Sequence, residues 1–282
     1  MLGIVRGKEN ESMRKSIVIA NWKCNPLTLT EAKELFESIE REIKDIKGVE
    51  VVICPPFVFL LALGNKSRDS IKLGAQDCFW EEKGPFTGEI SPQQLLNLGC
   101  EYVILGHSER RINLKESEEM VHKKIKTALE AGLKVILCVG GGSRKNGRVS
   151  KNKSKNASFW CDEKCQNLKE VGLQLKKKLK GLKEENLSNL FIVYEPVGAI
   201  STTPGGKPLQ PEEAKVGAIF IEKTLRQILG KERAQKIRIL YGGSVDSINA
   251  KDFISKSQVS GVLVGGASLK VDEFVKLARS LT

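Results

Sequence analysis

The sequence predicts a single α/β domain, a (β/α)8 barrel: a closed, parallel, eight-stranded sheet surrounded by helices. Three observations predict it. Eight short apolar runs recur along the 282 residues. A helical or loop segment follows each, as parallel neighbours require, because only a crossover can connect them. Eight is also the number of parallel strands that closes such a barrel, and chains of this length routinely form one such unit. An open doubly wound sheet is the alternative, but the first strand–helix turn, Asn21-Trp22-Lys23-Cys24-Asn25, lacks the Gly-rich dinucleotide fingerprint.

The elements follow in order. Residues 1–15 read as a polar, flexible leader, with no apolar core long enough for a signal peptide, and residues 16–282 as the barrel. The strands are expected at 16–20, 49–53, 71–75, 102–105, 134–138, 191–194, 237–241 and 260–264, each rich in Val, Ile, Leu or aromatic residues. Helical patterns are clearest at Thr30–Asp45, Glu116–Ala131, Pro211–Leu229 and Val271–Leu281. Thr30-Glu31-Ala32-Lys33 reads as the start of the first, with Leu35, Ile39 and Ile43 forming its apolar stripe.

One segment breaks the rhythm. Gly140–Ala157 is rich in Gly, Ser, Asn and Lys and has almost nothing to bury, so a basic surface insertion is expected near 142–165. The net charge is +12, and residues 142–186 hold 13 Lys or Arg against 5 Asp or Glu. A solvated basic surface ranks ahead of nucleic-acid binding, because aromatic residues are not interleaved with the lysines. No apolar run is long enough to span a membrane. The seven cysteines are scattered and mostly inside apolar runs, which favours reduced thiols and the cytoplasm. Cys161 and Cys165 form one C-x3-C pair, but the two histidines lie far away in sequence, so no metal site is expected.

In a parallel barrel the chemistry sits at the carboxyl ends of the strands. Those ends carry Asn21 and Lys23 after the first strand, His107 and Glu109 after the fourth and Glu195 after the sixth. Gly242-Gly243-Ser244 follows the seventh, and Gly265-Gly266 the eighth. A carboxylate where a buried strand opens into a loop suits a general base. Glycine pairs at the last two strands suit a phosphate, because bare backbone N–H groups can approach the anion. Singly, each residue reads as an ordinary turn, solvated charge or structural histidine; together they outline one pocket.

Asn21-Trp22-Lys23, Gly74-Ala75-Gln76, Phe86 to Ser91, Gly106-His107-Ser108-Glu109-Arg110-Arg111, Tyr194-Glu195-Pro196-Val197, Tyr241-Gly242-Gly243-Ser244-Val245 and Val264 to Leu269 resemble, in order, the signature of the triosephosphate isomerase family. The resemblance runs from about Arg14 to the end. It implies a TIM barrel that interconverts dihydroxyacetone phosphate and D-glyceraldehyde 3-phosphate through an enediolate, in glycolysis and gluconeogenesis. Glu195 is then the proton shuttle, His107 the neutral donor to substrate oxygen, Lys23 a fixed cation and Asn21 a further donor. Glu109 holds Lys23, and the backbone around Ser201, Ser244, Gly242, Gly243, Gly265 and Gly266 grips the phosphate. No metal or cofactor is implied. A homodimer is, with Thr87 reaching the partner's site, Cys24 at the interface and Gln76 at the foot of the interface loop.

The sequence departs from that pattern at the lid. Gly198 stands where the family has Trp, Ser201 replaces a glycine, the loop is longer before Pro211, and Gly141 stands where the family has Glu. A hinge glycine raises the entropy of the open loop by an amount worth ~0.5–1 kcal/mol, so weaker retention of the enediolate and more methylglyoxal per turnover are expected. Equal product partitioning beside a relative with the usual lid would remove that expectation.

Overall fold

The structure, a computed structural model, describes residues 15–64, 70–140, 159–196 and 209–282, with 159–166 as backbone only. The leader up to Arg14, most of the insertion, Gly141, Gly198 and Ser201 lie outside the described residues.

Eight strands close into one barrel in chain order: β1 Ser16–Asn21, β2 Val49–Cys54, β3 Lys72–Ala75, β4 Cys100–Leu105, β5 Lys134–Gly140, β6 Leu190–Glu195, β7 Arg238–Tyr241 and β8 Gly261–Val264. Every pairing is parallel, including β1 with β8. All eight strands fall where the apolar runs put them. The runs are unbroken because both faces of each strand are buried. Ile17 and Ile19 point into the barrel with Tyr102, Ile136 and Val193, while Val18 and Ala20 point outward under the helices with Val103 and Ile192.

The described helices are α1 Leu29–Ile43, α2 Phe57–Gly64, α3 Pro92–Asn97, α4 Ser108–Asn113, α5 Glu118–Ala131, α6 Phe159–Lys178, α7 Pro211–Leu229, α8 Lys231–Ala234, α9 Ala250–Ser257 and α10 Val271–Ser280. α1 begins earlier than Thr30. Thr28 is its cap, because the Thr28 hydroxyl accepts from the Glu31 amide while the Glu31 carboxylate accepts from Thr28 N–H at 3.0 Å. That reciprocal pair satisfies two amides that a start at Thr30 would leave unpaired. α6 starts at Phe159, so the last residues of the stretch 142–165 have helical backbone. No described helix is long and apolar enough to cross a membrane. Of the described cysteines, Cys54, Cys78, Cys100 and Cys138 are buried, Cys24 is exposed, and all five are free.

Beside the carboxyl ends of β3 and β4, a buried charge network ties loops to helices. Lys124 Nζ lies 2.7 Å from Asp77 Oδ2 and 2.5 Å from Glu116 Oε1, and Arg110 contacts the same two carboxylates at 2.8 and 2.7 Å. Burial pushes Asp77 up to about 6, against the pull of Lys124. Glu116 also suffers burial, but the hydrogen bond and charge of Lys124, aided by Arg110, hold it below its ordinary value. Two carboxylates share two cations, so removing either cation leaves a buried negative charge underpaired.

Candidate active site

The strand ends bring Lys23, His107, Glu195, Gly242, Gly243 and Gly265 around one small cavity of about 30 Å³. A wider cleft of about 460 Å³ shares Gly243 and Gly265 with it and runs outward past Ser244 and Gly266. The inner cavity has room for a water molecule and not for a phosphosugar.

Asn21 ends β1 and is buried; its Oδ1 accepts the Lys23 amide at 3.0 Å. That bond holds Lys23 in the left-handed region at φ +54°, which a β-carbon makes unfavourable and a local acceptor offsets. Gln76 secures the same turn from below, donating to the carbonyls of Lys23 at 2.8 Å and Cys54 at 2.9 Å. The Lys23 ammonium reaches Glu109 Oε1 at 2.5 Å, an ion pair across two strand-end loops. The pair is partly exposed, so solvent screens it and its role is aim more than stability.

His107 caps α4 and is 6% exposed. Its Nδ1 accepts the Glu109 amide at 3.3 Å. An acceptor at Nδ1 must carry a lone pair there, so the neutral ring has its proton on Nε2. That Nε2 lies 3.2 Å from Glu195 Oε1.

Glu195 closes β6 and is fully buried. Its Oε2 accepts the Ser108 amide at 3.1 Å. Its Oε1 accepts no aligned hydrogen bond, despite the short approach of His107. The Cys138 thiol beside it is pushed well above its ordinary value, first by burial and then by the Glu195 carboxylate. Beneath the base, Gly140 pairs with Glu195 across β5 and β6. Arg111 ties β4 to β5 by donating to the Gly106 carbonyl at 2.9 Å and to that of Gly140.

Ser244, Gly265 and Gly266 line the outer cleft, as an anion site at the last two strands requires. Lys270 stands exposed on its wall, a cation that the strand-end reading passed over because it sits beyond the glycine pair. Thr87 and Cys24 are exposed; Thr87 lies within the continuously exposed stretch 81–89. Gln76, expected at the foot of an intersubunit loop, spends its amide within its own chain. The Ser108 amide, Gln174 and Arg111 also contact the site's frame. A main-chain donor and a residue of α6 leave no local sequence signal, whereas Arg111 closes the motif that contains His107.

The sequence profile of the family described as Triosephosphate isomerase matches residues 16–281. A triosephosphate isomerase of Dehalococcoides mccartyi is 43% identical over 95% of this chain and 96% of its own length. That of Caldanaerobacter subterraneus subsp. tengcongensis is 41% identical over 94% and 99%, and that of Dictyoglomus turgidum 40% identical over 95% and 100%. With the closed barrel and these strand-end residues, the match over nearly its whole length shows that the chain belongs to the triosephosphate isomerase family.

Proposed function

We propose that Glu195 is the base, His107 the neutral electrophile and Lys23 the fixed cation of this chain's reaction. The enzyme is an intramolecular aldose–ketose isomerase that interconverts dihydroxyacetone phosphate and D-glyceraldehyde 3-phosphate, a step of glycolysis and gluconeogenesis. One observation carries the assignment of roles. Glu195 Oε1 is buried and accepts no aligned hydrogen bond, while an imidazole N–H stands 3.2 Å away. A desolvated carboxylate oxygen with a spare lone pair is a strong acceptor for a carbon-bound proton.

Glu195 leaves the Ser108 amide and takes a proton from the carbon next to the carbonyl. As the C–H electrons move toward oxygen, His107 Nε2–H donates to that oxygen, the neutral-histidine role known for this family. Lys23 adds positive charge, with Glu109 and Gln76 fixing its aim, and Asn21 holds the turn that presents it. Glu195 then returns the proton to the neighbouring carbon, while the hydroxyl proton passes to the former carbonyl oxygen, relayed through His107 Nε2, so that carbonyl and hydroxyl exchange places. Ser244, Gly242, Gly243, Gly265 and Gly266, with Ser201 from the lid, hold the phosphate in the outer cleft, so binding energy remote from the reacting carbons orients them. The proton passes between two carbons of one substrate, so the chemistry calls for no metal or cofactor.

The carboxylate route is tested in deuterium oxide. Dihydroxyacetone phosphate formed from glyceraldehyde 3-phosphate should carry deuterium at C1, because the shuttle carboxyl exchanges with solvent. Product free of deuterium would mean that hydrogen moves directly between the carbons.

The same reading makes the chain a homodimer built on the exposed stretch 81–89, where Phe86 is 39% exposed and its ring meets Phe79 at 4.7 Å. A sedimentation mass that halves on Thr87→Arg checks it. The cytoplasm is the compartment that suits its buried free thiols.

A further inference from the structure

Lys178 ends α6 and is 0% exposed, although it is the last of three consecutive lysines. Among the described residues its Nζ donates to one acceptor, the Cys138 carbonyl, at 3.4 Å. Glu118 Oε2 of α5 stands 3.2 Å away, paired in charge but not aligned as a hydrogen bond. An ammonium has three protons to place. Among the described residues this one has a single carbonyl and a single carboxylate for its three protons and is fully desolvated, a costly arrangement beside an apolar side chain of the same length.

Its place in the fold explains such a cost. Gln174, one helical turn earlier, accepts the Gly140 amide at 3.0 Å and donates back to the Gly140 carbonyl at 3.4 Å. Gln174 and Lys178 therefore grip alternate residues at the end of β5. Gly140 pairs with Glu195, and the Cys138 side chain lies against the Glu195 carboxylate. On the other side, a β-carbon placed on Gly106, the residue before His107, would stand 3.4 Å from Lys178 Nζ.

We propose that Lys178, with Gln174, is a positioning residue of the reaction, fixing from outside the barrel the strand end against which Glu195 and the Gly106–His107 turn are seated. The charged groups facing Lys178 are Glu118 from α5, Arg111 from α4 and the Cys138 thiol of β5, with His122 of α5 bonded to the Lys178 carbonyl. Burial lowers Lys178 to about 8, against the opposing pull of Glu118. As the ammonium loses its proton, the bond to Cys138 weakens from charge-assisted to neutral and Glu118 loses its counter-ion. Turnover should therefore fall as pH rises through about 8.

The inference rests on the isomerase reading, which activity of the unaltered enzyme tests separately. Steady-state kinetics on glyceraldehyde 3-phosphate from pH 6 to 10, with a melting curve for each protein, tests the positioning role. Lys178→Met should lower kcat about tenfold near pH 7, with KM within about twofold and no step near pH 8, because misplaced groups cost turnover before binding. Its melting temperature should not fall. Lys178→Arg, charged throughout, should restore kcat and stay flat through pH 8, and Gln174→Leu should lower kcat without removing the step. Unaltered kcat in both Lys178→Met and Gln174→Leu would overturn the proposal. So would losses that follow melting temperature while the step persists, the mark of a merely structural role.

Discussion

Gly140→Ala is the substitution whose effect the structure specifies most closely. A β-carbon at that position would meet the Glu195 carbonyl oxygen at 2.1 Å, its carbonyl carbon at 2.8 Å and its amide nitrogen at 3.3 Å. Ordinary contact begins near 3.4 Å, so the two strand ends must part by about 1.3 Å at the oxygen. All three contacts are backbone, and no side-chain rotation relieves them. The residue also has φ +113°, which alone costs an L side chain roughly 1–2 kcal/mol. A shift of this size in the segment carrying the base should lower kcat about a hundredfold. Gly48→Ala is the control: its φ is +85°, but an added β-carbon has no neighbour within 4 Å. It should lose about 1 kcal/mol of stability and no activity. Coupled assays and urea unfolding on both variants separate backbone strain from displacement of the base. If Gly140→Ala keeps kcat within about threefold of the parent, Glu195 does not depend on its seat against β5, and the reasoning is wrong.

Three further outcomes follow from the buried groups. Lys178 shifts from an ordinary 10.5 to about 8, which corresponds to about 3 kcal/mol of burial cost at pH 7. Below pH 8 both folded and unfolded chains hold the proton and the cost is fully present; between about 8 and 10.5 only the unfolded chain holds it, so stability rises with pH. Lys178→Met should therefore be the more stable protein near pH 7, with the advantage fading toward pH 10.5 in denaturant titrations. Lys124→Met leaves Asp77 and Glu116 with Arg110 alone, and should cost about 3–5 kcal/mol in the same measurement. Gln76→Leu takes its donor from the Lys23 carbonyl and leaves the Cys54 carbonyl with the Trp22 amide alone, which should cost about 1–3 kcal/mol and lower kcat by loosening the Lys23 turn.

The strands were legible because a barrel strand is buried on both faces, and Ile17-Val18-Ile19-Ala20 has no other stable place than such a sheet. His107, Lys23 and Glu195 were legible from their positions just beyond such runs. α6 was not, because Lys176-Lys177-Lys178 reads as a solvated face, whereas the helix turns its last lysine inward under β5. The start of α1, expected at Thr30, falls one residue earlier, at Leu29, because the reach of Glu31 back to Thr28 makes Thr28 the cap, a reciprocal contact that apolar spacing does not report. In the frame behind the site, Arg111 stands inside the His107 motif, but its bonds to the Gly106 and Gly140 carbonyls, like the bonds of Gln174 to Gly140, are set by tertiary contact and have no local pattern to read.

Glu195→Gln preserves the shape of the base and removes its charge. In a coupled assay on glyceraldehyde 3-phosphate, with the variant shown to melt as the parent does, kcat should fall by roughly three orders of magnitude while KM changes little. Comparable turnover in the two proteins would contradict the assignment of Glu195 as the group that moves the proton.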